Sequence, residues 1–234
     1  MFLFDVDGTL TPSRQKIDKE FSKFFSNFCK NNDVYLVTGS DRDKTVEQLG
    51  KTLYNKVKRV YNCSGNSVWE KTKNIHTSEW NCPCVLSSYL ELELNASKFK
   101  QKTGKHIEER PGCINFSILG RGKDNMKDRS EYVAWDRQTE ERDRLGQNLR
   151  RLFPDLCITV GGETGLDISP KGHDKSQILH DFETHDTITF FGDKTFVGGN
   201  DYSIAHAIIT NERGTVHQVS DFNETWEILK SKYT

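Results

Sequence analysis

The sequence predicts an α/β fold in which a core with a parallel sheet carries an inserted α+β domain with an antiparallel sheet. Short apolar strands alternate with amphipathic helices at both ends of the chain, a pattern typical of parallel sheets. Between residues 76 and 172 this alternation stops. The length of 234 residues also exceeds a typical domain of ~150 residues. We therefore predict a core formed by 1–75 and 173–234, with the insertion at 76–172.

The N-terminal segments set the α/β pattern. Phe2–Phe4 is a short apolar run that ends at polar residues, as a buried strand does. Residues 18–32 place four phenylalanines at helical spacing behind an acidic candidate N-cap. Two further strands are expected at Val34–Val37 and 57–61, with a helix at 43–53 between them.

The middle and the C-terminal part differ in their patterns. In the middle, two helices are expected at 85–101 and 139–152, with strand-like pieces near Cys113–Leu119, Tyr132–Trp135 and Ile158–Val160. The C-terminal part returns to alternation, with helices expected at 175–184, 201–207 and 222–231 and strands at Thr187–Phe191, Ile208–Thr210 and Val216–Val219. The middle therefore reads as an insertion into a discontinuous core.

Composition narrows the function classes. Lys and Arg number 33 against 34 Asp and Glu, so the net charge is −1, unlike the basic balance of most nucleic-acid-binding domains. The sequence contains no apolar run of the ~18 residues that a membrane span needs and no recognisable signal peptide. Its six cysteines are scattered, which favours reduced thiols in a reducing cytosol. We expect a cytoplasmic protein that binds neither nucleic acid nor membrane.

Four groups of polar residues fall where a doubly wound sheet places its active site, beyond the carboxyl ends of its strands or at the start of a helix. They are Asp5 and Asp7, Thr38 and Ser40, Lys175, and Asp193. This inventory suits phosphoryl transfer through an aspartyl-phosphate, because a carboxylate nucleophile splits one difficult step into two. Two anionic reactants require Mg²⁺ to offset their repulsion, and carboxylate oxygens are its preferred ligands.

The candidate residues divide the chemistry among them. Asp5 and Asp193 suit Mg²⁺, together with a backbone carbonyl. Lys175 and the hydroxyls of Thr38 and Ser40 would hold phosphoryl oxygens as charge develops on them. Asp7 can act as general acid to the leaving oxygen and as general base to the incoming hydroxyl.

These motifs resemble those of one superfamily and, more closely, those of one family within it. The segment FDVDGTLT (4–11) resembles the first motif of the haloacid dehalogenase superfamily in its phosphotransferase form. Four segments resemble the eukaryotic-type phosphomannomutase family: DVDGTLTPSR (5–14), RPGCINFSILGR (110–121), GGETGLDISPKGHDK (161–175) and FGDKTFVGGND (191–201). The resemblance implies a Rossmann-like core of the dehalogenase type and a cap domain inserted into it.

The resemblance also implies site residues. In the core, Asp5 would be phosphorylated and Asp7 would shuttle protons. Magnesium would bind Asp5, Asp7 through its carbonyl, and Asp193, with Asp201 as a further candidate ligand. For the second phosphate and the sugar, the implied residues are Arg110, Arg121 and Asp167 of the cap, Arg14 of the core and, by looser spacing, Arg129.

Three positions depart from the family pattern. Gly165 stands where the family usually has a phosphate-contacting serine. The family's Gly-Gly-Ser is replaced by Thr-Gly-Ser, which leaves the phosphate-contacting hydroxyl open between Thr38 and Ser40. Ala205–Ala207 replaces an acidic loop that often binds a second cation.

The expected activity is interconversion of mannose 6-phosphate and mannose 1-phosphate, with the glucose pair as a further substrate, and with a hexose 1,6-bisphosphate as intermediate and activator. Such an enzyme must hold a phosphate at each end of one sugar, and arginine suits the non-reacting end because its planar fork binds phosphate bidentately. The resemblance implies a homodimer through the cap. Two alternatives stay open: a Mg²⁺-dependent sugar-phosphate phosphatase of the same superfamily, and a catalytically silent binding homologue.

Overall fold

The computed structural model describes residues 1–122, 126–160 and 162–233. They form two compact units, one from Met1–Ser78 with His173–Thr234 and one from Glu79–Gly172. We call the first the core unit and the second the cap unit. The fold class predicted from the sequence, a mostly parallel sheet plus a separate antiparallel sheet, is confirmed.

The described residues form eleven strands and eight α-helices. The strands are β1 (Phe2–Phe4), β2 (Val34–Val37), β3 (Arg59–Asn62), β4 (Ser67–Glu70), β5 (Lys73–Thr77), β6 (Lys105–Arg110), β7 (Cys113–Arg121), β8 (Leu156–Thr159), β9 (Leu166–Pro170), β10 (Ile188–Gly192) and β11 (Gly214–Gln218). The helices are α1 (Lys19–Asn31), α2 (Arg42–Leu49), α3 (Lys51–Tyr54), α4 (Cys84–Ala96), α5 (Met126–Thr139), α6 (Glu141–Leu152), α7 (Tyr202–Thr210) and α8 (Phe222–Lys232).

The core unit is built on a seven-stranded sheet in the order β11-β10-β1-β2-β3-β4-β5. The strands from β11 to β3 pair in parallel, and β4 and β5 add an antiparallel edge. Leu3 and Phe4 of β1 are both buried but belong to separate hydrophobic clusters, because successive side chains of a strand point to opposite faces. Both faces of the sheet are therefore covered, as expected for a parallel sheet.

Aromatic side chains fill the face that α1 and α8 cover. The carboxylate of Asp18 caps α1 by accepting hydrogen bonds from the backbone N–H groups of Glu20 and Phe21. The ring of Phe4 packs edge-to-face on Phe25, with 5.1 Å between centroids, and stacks on Phe191 at 4.8 Å. These rings give a polar chain, of mean hydropathy −0.71, a dense core.

The cap unit packs helices on a four-stranded antiparallel sheet in the order β6-β7-β9-β8. Its core joins Leu90 of α4, Tyr132 of α5 and Leu149 of α6 to Phe116 of β7. Asn115 of β7 lies directly opposite Asp167 of β9 in the strand register. This register places two polar side chains side by side on the sheet.

Two strand predictions are wrong and one helix differs in type. Tyr132–Trp135 lies inside α5, where the apolar residues that suggested a strand pack at helical spacing. Ile208–Thr210 is the last turn of α7 rather than a strand. The helix expected at 175–184 is a 3₁₀ helix over Lys175–Asp181. In each case tertiary packing overrides the local pattern.

The helix expected at 43–53 is divided by a glycine. Gly50 has a φ of +78°, a conformation that other residues rarely adopt, and it separates α2 from α3. The pattern missed β4, β5, β6 and β9, since their short sequences mix charged with apolar residues.

Candidate active site

A buried chain of charges lies at the carboxyl end of β1. Asp5 directly follows this strand, and its Oδ1 accepts a hydrogen bond of 2.6 Å from Nζ of Lys175. The same ammonium donates to Oδ1 of Asp201 at 2.6 Å. All three side chains are at most 2% exposed. The core unit thus brings together Asp5, the candidate nucleophile, and the ammonium of Lys175, which are 170 residues apart in the chain.

The charge in this cluster is not balanced by the protein. The three carboxylates of Asp5, Asp193 and Asp201 outnumber the two ammonium groups beside them, that of Lys175 and that of Lys194, which lies 3.9 Å from Oδ2 of Asp193. Burial lowers the pKa of Lys175, but the carboxylates of Asp201 and Asp5 outweigh burial and raise it above its usual range. Burial, and next the charge of Asp201, raise the pKa of Asp193 to about 6. Burial raises the pKa of Asp5 most, and the charges of Asp201 and Asp193 raise it further, against the opposing effect of Lys175.

This arrangement fits a divalent cation. Ligand oxygens of Asp5, Asp193 and Asp201 all lie within 4.8 Å of one another. Carboxylate oxygens are the ligands that Mg²⁺ prefers, and a dication would offset the excess negative charge. The space next to this group is kept by Gly8, where a Cβ would lie 2.5 Å from Oδ2 of Asp193. The φ of +86° at Gly8 also requires glycine.

Asp7 is held by hydrogen bonds from three other segments. Its Oδ1 accepts from the backbone N–H of Arg14 at 2.6 Å and from Nε2 of Gln48 at 3.0 Å. Its Oδ2 accepts from Oγ of Ser40 at 3.3 Å. Arg14 has a φ of +58°, a left-handed conformation that brings its N–H to the carboxylate. The candidate acid and base is therefore fixed in orientation.

Thr38 and Ser40 occupy different environments. Thr38 is 1% exposed, and its Oγ1 accepts a hydrogen bond of 3.1 Å from the backbone N–H of Ser40. Ser40 is partly exposed, and its hydroxyl reaches the carboxylate of Asp7. Of the two hydroxyls that the sequence left open, that of Ser40 is the more accessible.

The cap unit carries its own cluster of predicted residues. Nε of Arg121 donates to Oδ1 of Asn115 at 3.0 Å, and Nδ2 of Asn115 donates to Oδ1 of Asp167 at 2.7 Å. Nη1 of Arg110 lies 3.7 Å from the same carboxylate oxygen of Asp167. Glu108 pairs with Arg110 at 2.5 Å. The strands β6, β7 and β9 thus assemble the guanidinium groups of Arg110 and Arg121 with the carboxylates of Glu108 and Asp167 and the amide of Asn115.

Gly165 and Arg129 lie at the margin of this cluster. A Cβ at Gly165 would be 2.8 Å from Nη2 of Arg121 and 2.9 Å from the amide atoms of Asn115, so this glycine lets Arg121 approach closely. Nε of Arg129 donates to Glu163 at 2.8 Å, and its Nη1 donates to Oγ1 of Thr164 at 3.4 Å.

Sequence reasoning missed Gln48, Asn115 and Glu108. Asn115 lies within the segment 110–121 that carries the family resemblance, so its place in that motif was the available signal. Gln48 is a buried glutamine in the last turn of α2, and nothing in its local sequence distinguishes it. Ala205–Ala207 lies inside α7, and Asp201 immediately precedes that helix.

Comparison with known proteins identifies relatives along nearly the whole chain. The family described as eukaryotic phosphomannomutase matches residues 21–234. A phosphomannomutase of Saccharomyces cerevisiae is 31% identical over 239 residues, which cover 98% of this chain and 92% of that protein. One of Galdieria sulphuraria is 36% identical over 217 residues, covering 86% of this chain and 83% of that protein. This chain belongs to the eukaryotic phosphomannomutase family.

Membership confirms the predicted family and enzyme class, since phosphomannomutases are isomerases. Solved structures add the fold. A haloacid dehalogenase-like hydrolase from Bacteroides thetaiotaomicron has a TM-score of 0.59 at 13% identity, covering 98% of this chain and 97% of that one. A trehalose-6-phosphate phosphatase related protein has a TM-score of 0.57 at 16% identity, covering 98% and 96%. These likenesses confirm a dehalogenase-type fold for this family member. In the part of the chain that the structure describes, no helix is long and apolar enough to cross a membrane.

Proposed function

We propose that this member of the family interconverts mannose 6-phosphate and mannose 1-phosphate through an aspartyl-phosphate on Asp5 and a hexose 1,6-bisphosphate intermediate. The observation that carries the proposal is the contact between Asp5 and Lys175, a buried carboxylate and ammonium 2.6 Å apart beside the oriented carboxylate of Asp7. This set provides a nucleophile, a positive charge and a proton carrier in one unit.

The first half-reaction would form the aspartyl-phosphate. A carboxylate oxygen of Asp5 attacks phosphorus of the bisphosphate, and the bond from phosphorus to the sugar oxygen breaks. The electron pair of that bond stays on the sugar oxygen, which takes the proton of protonated Asp7. Lys175 and Ser40 stabilise the phosphoryl oxygens. The product is a hexose monophosphate, and Asp7 is left as a carboxylate.

The second half-reaction would reverse these steps at the other end of the sugar. A hydroxyl of the monophosphate attacks the phosphorus bound to Asp5 and gives its proton to the carboxylate of Asp7. The bond from phosphorus to the Asp5 oxygen breaks, which regenerates the carboxylate. Because one residue serves as acid and then as base, the same orientation of Asp7 suits both directions.

Magnesium is the cofactor that the residues fit. Asp5, Asp193 and Asp201 would hold it, together with the backbone carbonyl of Asp7. When bound, Mg²⁺ supplies charge compensation between the anionic nucleophile and the anionic phosphate. Support comes from the excess of carboxylates over ammonium groups described above.

The arginines of the cap unit are proposed to bind the non-reacting phosphate and the sugar. Nη1 of Arg121 is buried and donates to no acceptor in the described residues, so it has a hydrogen bond to offer an anion. Arg110 and Arg129 are proposed to contribute further donors, and Asp167 to orient the sugar and the guanidinium groups. Arg14 is proposed to assist from the core unit.

A second candidate function is favoured by one position. Gly165 lacks the hydroxyl that the family usually offers to the distal phosphate, and a weaker hold on that phosphate would favour hydrolysis. Under this alternative the chain is a Mg²⁺-dependent sugar-phosphate phosphatase. The two functions differ in their product and in their need for a bisphosphate activator.

The experiment that separates them follows mannose 1-phosphate by ³¹P NMR with and without added hexose 1,6-bisphosphate. A mutase converts it to mannose 6-phosphate, requires the bisphosphate and releases little inorganic phosphate. A phosphatase releases phosphate with or without it. Arg121→Ala should abolish the mutase reaction and keep slow hydrolysis of small phosphates, whereas Arg144→Ala, at a 55% exposed arginine of the same unit, should change neither. Glucose 1-phosphate tested in parallel decides whether the glucose pair is also used.

Assembly and location complete the proposal. We propose a homodimer through the cap unit, supported by Val85 and Leu92 of α4, which are 73% and 68% exposed and share one helix face. We also propose a cytoplasmic location, supported by the scattered placement of the six cysteines in the sequence, which is typical of proteins in a reducing compartment.

A further inference from the structure

Gln48 is a buried residue of α2 that reaches the proposed proton carrier. It is 2% exposed. Its Nε2 donates to Oδ1 of Asp7 at 3.0 Å, to Oγ1 of Thr11 at 3.1 Å and to the carbonyl of Gln15 at 3.4 Å. A side chain 41 residues away in the sequence therefore contacts the catalytic carboxylate directly.

The chemistry of these neighbours determines which end of the amide faces Asp7. The carboxylate of Asp7 and the carbonyl of Gln15 are acceptors, and the hydroxyl of Thr11 gives its own hydrogen to the carbonyl of Val6 at 3.3 Å. All three therefore need a donor. The NH₂ end of the Gln48 amide suits this position because its two hydrogens can be shared among the three, whereas an amide oxygen there would meet three acceptors.

The two oxygens of Asp7 are consequently unequal. Oδ1 accepts two N–H bonds, from the backbone of Arg14 and from Gln48, and both donors are fixed by the fold. Oδ2 has one longer contact, 3.3 Å from the hydroxyl of Ser40, which can rotate. An oxygen that already accepts two N–H bonds has no direction left for a proton, whereas Oδ2 does.

We propose that Gln48 is a positioning residue that, with the Arg14 N–H, holds Oδ1 of Asp7 so that Oδ2 carries the proton to and from the substrate oxygen. This inference rests on the proposed function of Asp7. Without Gln48 the carboxylate can rotate about its χ2 torsion and present either oxygen, which misaligns proton transfer but leaves phosphate binding intact.

The test uses two phosphoryl donors that differ in their need for a proton. The sugar oxygen leaves as a hydroxyl and requires the proton of Asp7, whereas nitrophenolate leaves from p-nitrophenyl phosphate without one. For Gln48→Met, which keeps the size of the side chain, we expect kcat of the mutase reaction to fall roughly 10–100-fold with KM changed less than about threefold. The rate constant of the nitrophenolate burst should change less than about threefold, and the burst amplitude counts the correctly folded sites.

Two variants serve as controls. Thr45→Val removes the hydroxyl of a fully buried threonine one turn earlier on α2, which contacts Asp41 and Asn62 but not Asp7. It should leave both rates unchanged per folded site. Asp7→Asn should reproduce the split between the two substrates more strongly than Gln48→Met.

Each outcome decides the matter. Suppose that Asp7→Asn slows the mutase reaction much more than the nitrophenolate burst. If Gln48→Met then lowers both rates equally, or lowers neither rate, the positioning role of Gln48 is wrong while the proposed function stands. If Asp7→Asn itself shows no split, the proton-transfer role of Asp7 fails, and the inference about Gln48 fails with it.

Discussion

The carboxylate cluster predicts that removing one acidic group stabilises the metal-free protein. Asp193 has a pKa of about 6 because burial and the charge of Asp201 penalise its ionised form. In the unfolded chain its pKa returns to the ordinary 3.8. Folding therefore raises this pKa, so the penalty is absent at low pH and develops as the pH rises through this window. At pH 7.5 the ionised Asp193 destabilises the folded state.

The magnitude follows from the gap between the two pKa values. The gap is about two pH units, and each unit corresponds to ~1.36 kcal/mol, so the penalty at pH 7.5 is on the order of 3 kcal/mol. Asp193→Asn removes the charge, and its amide can donate a hydrogen bond to Asp201. For a protein of this size ~2–4 °C in Tm corresponds to each kcal/mol, so Tm should rise by roughly 6–12 °C.

The assay is thermal unfolding in EDTA at pH 7.5 and at pH 4.5, repeated at pH 7.5 with saturating Mg²⁺. In EDTA, we expect the variant to have a higher Tm than the wild type at pH 7.5 and a smaller advantage at pH 4.5. Adding Mg²⁺ should raise the Tm of the wild type, because a ligand stabilises the state that binds it, and should not raise that of the variant. Asp43→Asn, at a 97% exposed aspartate, is the matched control and should shift Tm little. If Asp193→Asn leaves Tm unchanged or lowers it in EDTA at pH 7.5, the account of an uncompensated cluster is wrong.

Three further changes probe other parts of the account. Lys175→Met should abolish turnover and lower the free energy of unfolding in EDTA by roughly 3–5 kcal/mol, since it leaves buried carboxylates unpaired; an unchanged urea midpoint would contradict this. Gly165→Ser should raise KM for mannose 1-phosphate about tenfold, equivalent to ~1.4 kcal/mol, because a Cβ at 2.8 Å displaces Arg121; an unchanged or lower KM would show that the site relaxes. Leu92→Asp should convert a dimer to a monomer in light scattering, and a monomeric wild type would refute the proposed assembly.

The candidate reacting residues of the core unit could be grouped from the sequence because they lie next to strand ends. Asp5 follows β1, Ser40 follows β2 and Asp193 follows β10, and parallel strands bring their carboxyl ends to one edge of a sheet. Lys175 was predicted to start a helix, and it does so, although that helix is a 3₁₀ helix. Local sequence patterns show where the strands and helices end, and those positions were enough to group these residues.

The supporting residues could not be predicted, because tertiary pairing positions them. Gln48 reaches Asp7 only through the packing of α2 against the loop after β1, and its local sequence is that of any amphipathic helix. Asn115 meets Asp167 through the register between β7 and β9, which no local pattern specifies. Tyr132–Trp135 was misassigned to a strand for the related reason that aromatic residues suit both strands and buried helix faces.

The most direct test of the proposed function locates the transferred phosphoryl group. The protein is mixed with hexose 1,6-bisphosphate and Mg²⁺, quenched, and treated with borohydride, which reduces an aspartyl-phosphate to homoserine. Trypsin then releases residues 1–14, which contain both Asp5 and Asp7. The account predicts homoserine at position 5 alone, and none in Asp5→Asn. Homoserine at position 7, or an unmodified peptide from protein that is turning over substrate, would contradict it.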